Sequence, residues 1–128
     1  MSNTDLVKAV YTHFSTGNVP AVLALFDPAI EWRECTGVPF VKGDGIFIGP
    51  EAVVTNVFMQ IGAFYDGFNI AVTDIFASGD KIAMMGYYQG TNKATGHSFK
   101  ANATHIWTAK NGKLTHFFQA VDTVTLTR

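Results

Sequence analysis

Apolar positions recur every three or four residues over the first part of the chain, the spacing of one face of an amphipathic α-helix. The pattern predicts three helices, over residues 4–16, 19–26 and 50–61. Asn3 or Thr4 is expected to cap the first helix, and Gly17 to end it. Asn18 is expected to cap the second helix, which ends at 27–28, and the third begins at Pro50 and ends at Gly62. Each of these helices has one apolar stripe, so each is expected to pack against another layer.

Alternation of apolar and polar positions, the period of a β-strand, replaces the helical spacing elsewhere. It predicts a short strand over 30–35, a glycine-rich and proline-rich loop over 36–48, and strands over 68–77 and 81–91. A terminal hairpin over 97–123 completes the order ααβαββββ. Helices that precede an antiparallel meander are typical of the α+β class, with three N-terminal helices packed on one face of a curved, mostly antiparallel sheet.

The terminal hairpin turns at Asn111-Gly112, a pair suited to the positive φ angles of a two-residue type I′ turn. Lys110 is then expected to pair with Lys113, and a regular ladder sets Trp107 opposite His116, His105 opposite Phe118 and Thr104 opposite Gln119. One face, taken as the pocket side, is predicted to carry Asn102, Thr104, Ile106, Phe117, Gln119 and Val121. The other face is predicted to carry Ala101, Ala103, His105, Trp107, His116, Phe118, Ala120 and Asp122.

Length and composition favour one domain over residues 1–128, with 48% hydrophobic and only 15% charged residues. The net charge of −1 and the lack of a basic run argue against a nucleic-acid partner. Neither a leader peptide nor an apolar run of membrane-spanning length is present, so we expect a cytoplasmic protein with no membrane partner. The single Cys35 and the lack of ligand spacing predict no internal disulfide, no metal and no cofactor.

Several segments, in this order and spacing, carry a resemblance to a known family: YTHFSTGNVPAVLALFDPAIEW, GPEAV, SGDKIA, TGHSF and THIWTAKNGKLTHFFQAVDT. The chain resembles the SnoaL-like, ketosteroid-isomerase-related branch of the nuclear-transport-factor-2-like fold, over nearly its whole length. The resemblance implies a cone-shaped domain whose helices and curved sheet enclose an apolar pocket. It also implies a homodimer joined through the outer sheet face, here expected to bear His105, Trp107, His116 and Phe118.

The resemblance also implies site residues. Through EWRE, Glu34 falls at the first-strand position of the aspartate base of ketosteroid isomerases, and Tyr11 lies one residue from their helical tyrosine donor. A carboxyl group among apolar walls has a raised pKa, which suits proton abstraction near neutral pH. Glu34 and Tyr11 are therefore the predicted catalytic residues. The predicted ligand-binding residues are Trp32, Met84, Tyr88, Asn102, Thr104, Phe117 and Gln119.

Two functions of different classes fit these residues. One is an isomerase-like or cyclase-like enzyme that performs acid/base chemistry on a hydrophobic carbonyl compound. The other is a non-catalytic dimer that binds an apolar small molecule, or a structural dimer whose cavity Phe117 and Tyr88 fill. The orientation of Glu34 distinguishes them: a carboxyl group that points into the pocket favours catalysis, whereas one that points outward into solvent leaves the pocket without a strong base. An epoxide hydrolase site ranks lower, because Asn102, Thr104 and Gln119 cannot take a proton. His105 and Asp122 lie too far apart along the hairpin to pair, so His105 is expected to be a hydrogen-bonded core or interface residue.

Overall fold

Six strands and five short helices make up the computed structural model, which describes residues 1–128. The first half contains α1 (Asn3–Ser15), α2 (Val19–Leu23), β1 (Phe26–Arg33), β2 (Ile46–Ile48), α3 (Pro50–Val53), a π-helical segment (Val54–Phe58) and α4 (Met59–Phe64). The second half contains β3 (Tyr65–Ser78), β4 (Lys81–Asn92), β5 (Ser98–Lys110), β6 (Lys113–Val121) and α5 (Thr123–Leu126). The fold is therefore of the α+β class.

The first two helices begin with side-chain caps. Ser2, rather than Asn3 or Thr4, accepts the hydrogen bond of the Asp5 amide at 3.1 Å. Asn18 caps α2 as its position predicts. The predicted end of α2 at 27–28 is wrong, because the carbonyl of Leu25 already accepts the Leu114 amide at 2.9 Å. Strand β1 therefore begins at Phe26, one residue before the predicted end of the helix.

The third predicted helix runs from Pro50 to Phe64 as α3, the π-helical segment and α4 without a break. It passes Gly62, the predicted end, because glycine is tolerated inside a helix although it destabilises it. Val57 of the π-helical segment is buried. Insertions of this kind are common beside functional sites. Here Val57 and Phe58 of the segment line the cavity described below.

The strands form one mixed sheet in the order β2-β1-β6-β5-β4-β3. β1 is parallel to β6, and every other neighbouring pair is antiparallel. Pro28 lies in β1, at a stretch where the register with β6 shifts between Phe26 and Glu31. Proline fits at such an irregularity because its missing N–H removes no ladder bond. β2 occupies part of the segment predicted to be a loop.

The hairpin between β5 and β6 has the predicted turn but not the predicted register. Asn111 and Gly112 have φ angles of 54° and 74°, and Lys110 pairs with Lys113. Beyond Ala109 and Leu114 the ladder skips Thr115, so that Thr108 pairs with His116. This β-bulge moves every later residue of β6 by one position relative to β5.

The bulge overturns the face assignment. His105 now pairs with Gln119 and Trp107 with Phe117, and all four side chains are buried on the inner face. The predicted pocket residues Asn102 and Thr104 lie on the opposite, outer face and are exposed to solvent. Of the four residues expected at the dimer interface, only His116 and Phe118 lie on the outer face.

One continuous apolar core fills the space between the helices and the inner sheet face. Leu6, Val7 and Val10 of α1 meet Ile82 of β4 and Trp107 of β5 in that cluster. No helix combines the length and the apolar character needed to cross a lipid bilayer.

Candidate functional site

A mostly apolar cavity lies between α1, the π-helical segment, α4 and the inner face of the sheet. Its walls are Val10, Tyr11, Phe14, Trp32, Glu34, Val38, Phe40, Val57, Phe58, Ile61, Tyr65, Phe68, Ile70, Tyr88, His105, Trp107, Phe117, Gln119 and Leu126. Its volume is about 50 Å³, against about 150 Å³ for an apolar cavity that binds benzene. A ligand of that size or larger therefore needs the side-chain walls to move.

Glu34 is the one carboxyl group in these walls, and it follows β1 directly. Its amide donates to the carbonyl of Gly45 at 2.8 Å, which fixes the backbone, and its side chain is 6% exposed. Trp32 Nε1 donates to Oε2 and Gln119 Nε2 donates to Oε1, each at 2.7 Å. The two donors hold the carboxyl group in one orientation, and each oxygen keeps a further lone pair.

Burial sets the proton affinity of this carboxyl group. Desolvation raises the pKa of Glu34 to about 7, and the hydrogen bond from Trp32 opposes that shift only in part. Near neutral pH the group is therefore divided between its two protonation states. A carboxyl group of this kind can both remove a proton from a bound compound and return one.

A chain of buried hydrogen bonds crosses the inner sheet face and ends at Glu34. Trp107 Nε1 donates to the Tyr11 hydroxyl at 2.9 Å, and that hydroxyl lies 2.7 Å from Nδ1 of His105. On the other side of the ring, Nε2 of His105 lies 2.5 Å from the Tyr88 hydroxyl. Tyr88 donates to Oε1 of Gln119, whose amide nitrogen donates to Glu34.

The end groups of this chain determine where its protons lie. Trp107 can only donate, and Oε1 of Gln119 can only accept. We therefore assign the Tyr11 proton to the bond with Nδ1 of His105, and the ring proton to Nε2, where it is donated to Tyr88. Desolvation lowers the pKa of His105 to about 3, so the imidazole is neutral. All donors then point in one direction along the chain, toward the carboxyl group of Glu34.

Burial also keeps the tyrosines of the chain neutral. Desolvation is the main cause that raises the pKa of Tyr11 and that of Tyr88 well above the ordinary value, and the Glu34 charge adds to the shift at Tyr88. Both phenols therefore act as hydrogen-bonding groups rather than bases. The single proton of Tyr11 is used within the wall, which leaves none for a ligand in this arrangement.

The structure brings most of the sequence-predicted site residues to one cavity. Glu34, Tyr11, Trp32, Tyr88, Phe117 and Gln119 line it. Met84 is fully buried on the same sheet face but lies outside the cavity walls, and Asn102 and Thr104 are on the other face. The last two predictions were wrong because they assumed a hairpin without a bulge.

Three polar wall residues were missing from the predicted pocket: His105, Trp107 and Tyr65. The alternation of β5 places His105 and Trp107 on one face, and only the bulge decides that this face is the inner one. The expectation that His105 is a hydrogen-bonded core residue fits its contacts with Tyr11 and Tyr88. Asp122 instead caps α5 by accepting the Thr125 amide at 3.1 Å, so it forms no pair with His105.

Tyr65 differs from every other polar wall residue. It begins β3, is 4% exposed, and its hydroxyl is the only buried side-chain oxygen or nitrogen without a hydrogen-bond partner. No group of three or more His, Cys, Asp or Glu side chains is arranged to hold a metal ion. The chemistry available to this site is therefore that of one carboxyl group, a hydrogen-bonded wall and one unpartnered phenol.

Solved structures show where else this architecture occurs. An NTF2-like protein from Burkholderia thailandensis E264 is 31% identical in sequence and superposes with a TM-score of 0.92, over 98% of this chain and 95% of that protein. TerC, co-crystallised with polyporic acid, is 21% identical with a TM-score of 0.85, over 97% and 94% of the two chains. IdmH from Streptomyces antibioticus, a candidate polyketide cyclase, is 19% identical with a TM-score of 0.82, over 98% and 95%.

At their low identity, TerC and IdmH show a shared fold only. No curated protein matches the sequence. The profile of the SnoaL-like domain matches residues 7–117, which is most of the chain. Together with the fold and with the Burkholderia thailandensis protein, this match shows that the chain belongs to the SnoaL-like family of the nuclear-transport-factor-2-like superfamily.

Proposed function

We propose that this protein is an acid/base enzyme of the isomerase or cyclase type that acts on a small, apolar, enolisable carbonyl compound. The observation that carries the proposal is Glu34, a carboxyl group oriented by two donors in an apolar cavity, with its pKa raised to about 7. Such a base removes a proton from the carbon next to a carbonyl group and returns it at another carbon. The same step produces the nucleophilic carbon of an intramolecular ring closure.

Two further features support this chemistry. Aromatic walls exclude water, which strengthens the interactions of a charged intermediate with its surroundings. IdmH, which shares the fold, is described as a candidate polyketide cyclase, and polyketides carry enolisable carbonyl groups. The family to which the chain belongs is therefore compatible with the reaction class proposed from Glu34.

The test uses 3-cyclohexenone, a small β,γ-unsaturated ketone. Its isomerisation to the conjugated ketone is followed by ultraviolet absorption, and exchange of its hydrogens in D₂O by NMR. We expect Glu34→Gln to slow both by about 100- to 10,000-fold, the usual contribution of a general base. Glu31→Gln, the same chemical change at a half-buried position earlier in β1 that does not line the cavity, is the matched control.

Equal rates for Glu34→Gln and wild type would show that the base lies elsewhere. A wild-type protein that accelerates neither process would favour the second candidate, a non-catalytic binding or structural dimer. A specific contact favours that candidate: the ring of Phe117 stacks on Trp32 with centroids 3.7 Å apart and meets Trp107 at 4.6 Å. These rings occupy much of the space beside Glu34.

Either function is proposed to operate in a homodimer joined through the outer sheet face. Phe76, Ala83, Ile106 and Phe118 pair in sequence across β3, β4, β5 and β6, and form an apolar row on that face. Phe76 and Phe118 are 53% and 47% exposed, and Met85 in the adjacent row is 48% exposed. A second copy of the chain is the proposed cover for this surface.

A further inference from the structure

The hydroxyl of Tyr65 is a hydrogen-bond donor that is buried without a partner. Leaving such a group unsatisfied costs about 1 to 3 kcal/mol, and native proteins rarely tolerate it. The ring itself is well held, since Phe68 stacks on it with centroids 5.8 Å apart and Phe99 meets it edge-on at 5.2 Å. The aromatic packing therefore fixes the ring of Tyr65 among the residues that line the cavity, and no protein group receives the proton of its buried hydroxyl.

Most other polar groups of the cavity wall donate their hydrogens to protein acceptors. Those of Trp107, Tyr11, His105 and Tyr88 pass along the buried chain, and Trp32 donates to Glu34. Gln119 gives one amide hydrogen to Glu34 and keeps one. Besides the carboxyl proton that Glu34 carries in its protonated state, the cavity residues therefore keep two uncommitted donors, the Tyr65 hydroxyl and the second amide hydrogen of Gln119.

From these observations we infer that Tyr65 binds the carbonyl oxygen of the substrate whose α-proton Glu34 removes. The inference rests on the proposed function and assigns to Tyr65 the donor role that the sequence assigned to Tyr11. It also specifies the substrate class. The compound carries one accepting oxygen for Tyr65 and, next to that carbonyl group, a carbon whose hydrogen faces Glu34.

The step is balanced without any further reagent. The carboxylate of Glu34 takes the proton from the α-carbon, and the electron pair of the C–H bond becomes the carbon–carbon double bond of an enolate. The electrons of the carbonyl double bond move to its oxygen, which Tyr65 stabilises by a hydrogen bond without losing its own proton. Glu34 then returns the proton to a different carbon, or the enolate carbon attacks a second carbonyl group of the same molecule, whose oxygen becomes an alkoxide and takes the proton from Glu34.

The electrostatics of Tyr65 agree with a donor that stays neutral. Burial raises the pKa of Tyr65 to about 12, and the negative charge of Glu34 acts in the same direction. The phenol therefore keeps its proton throughout the pH range in which Glu34 changes its protonation state. A hydrogen bond from it strengthens as charge develops on the substrate oxygen, which is the requirement for accelerating the reaction.

The experiment compares wild type with Tyr65→Phe, which removes only the hydroxyl. The binding probe is 4-nitrophenol, a planar compound whose oxygen resembles that of an enolate and whose absorption reports binding. Titrations are made at about pH 6, where a pKa of about 7 keeps most of Glu34 protonated and unable to repel an anion. Free 4-nitrophenol is also mostly neutral at this pH, so growth of the phenolate absorption band measures the fraction that binds as the enolate-like anion. Tyr87→Phe is the control, since Tyr87 belongs to the neighbouring position of β4 and does not line the cavity.

We expect Tyr65→Phe to bind 4-nitrophenol about 10- to 100-fold more weakly than wild type, the loss typical of a hydrogen bond to a charged acceptor. Exchange of 3-cyclohexenone should slow by a similar factor, mostly in kcat. Tyr87→Phe should match wild type in both assays. A structural role for Tyr65 would instead lower the melting temperature, whereas removal of an unpartnered hydroxyl should leave it unchanged or raise it.

The outcomes separate this inference from the proposed function. Equal 4-nitrophenol affinity for wild type and Tyr65→Phe overturns the inference, whatever the exchange rates show. Failure of the wild type to bind the probe also overturns it, because the inference requires the cavity walls to move apart far enough for a planar compound whose oxygen reaches Tyr65. If Tyr65→Phe weakens binding but Glu34→Gln exchanges hydrogen as fast as wild type, the base assignment fails and the Tyr65 oxygen site stands.

Discussion

At the scale of single residues, Glu34 and His105 are buried ionisable groups whose neutral forms the fold favours. Desolvation raises the pKa of Glu34 from 4.5 to about 7 and lowers that of His105 from 6.5 to about 3. Both shifts favour the neutral form, as burial does for any ionisable group. The hydrogen-bond chain tolerates a neutral imidazole because each ring nitrogen has a tyrosine partner.

These two shifts predict opposite effects of pH on the free energy of unfolding. Between pH 4.5 and 6.5, the folded protein retains a proton on Glu34 that the unfolded chain releases, so acidification stabilises it through Glu34. In the same range the unfolded chain binds a proton at His105, whereas His105 of the folded protein stays neutral. Acidification therefore destabilises the folded protein through His105. The two contributions nearly cancel in the wild type.

Glu34→Gln removes one of the two contributions and should therefore make the protein acid-sensitive. We expect the variant to lose about 1 kcal/mol more than wild type for each unit of pH decrease across this range. Urea unfolding of both proteins at several pH values measures the difference, and Glu31→Gln serves again as the control. Parallel pH profiles for Glu34→Gln and wild type would show that Glu34 has an ordinary pKa in the folded state.

At the scale of secondary-structure elements, the hairpin of β5 and β6 decides the composition of the site. Its turn needs positive φ at Asn111 and Gly112, and the bulge at Thr115 then sets which side chains face inward. With a regular ladder, Trp107 would pair with His116 instead of Phe117. Because of one additional residue in β6, His105 and Trp107 of β5 line the cavity, where a regular ladder would place Asn102 and Thr104.

Two glycine substitutions test the role of the turn. Gly112→Ala should destabilise the protein by about 1 to 2 kcal/mol, because the left-handed conformation penalises a Cβ atom. A Cβ atom at Gly112 would have no neighbour within 4 Å, so the effect comes from the backbone alone. Gly62→Ala is the matched control inside α4, where alanine should stabilise by about 0.5 to 1 kcal/mol.

Thermal or urea unfolding of the two variants checks the opposite signs. Equal effects of Gly112→Ala and Gly62→Ala would indicate that the turn relaxes into a conformation that alanine accepts.

At the scale of the whole molecule, the sheet has one face buried under the helices and one face with apolar side chains in solvent. Met85 is exposed on the outer face, next to the apolar row that contains Phe76 and Phe118. Met59 is 63% exposed on α4, at a distance from that surface in the fold. The two methionines make a matched pair for testing the proposed dimer.

We expect Met85→Glu to convert the dimer to a monomer, because a buried, unpaired carboxylate in a dimer interface is strongly unfavourable. Met59→Glu should leave the dimer unchanged. Light scattering during size-exclusion chromatography measures the mass of each variant and of the wild type. A wild-type monomer, or a dimer that survives Met85→Glu, would contradict the assignment of this face as the interface.

The sequence by itself determined the α+β class, the family, the turn at Asn111-Gly112 and the placement of Glu34 and Tyr11, because these depend on local periodicity, turn chemistry and motif order. The tertiary structure alone decided which face of the hairpin is inside, since the bulge at Thr115 leaves no local signal in an alternating strand. It also decided that Tyr65 has no partner. Hydrogen-bond satisfaction depends on groups far apart in the chain, and only their packing brings those groups together.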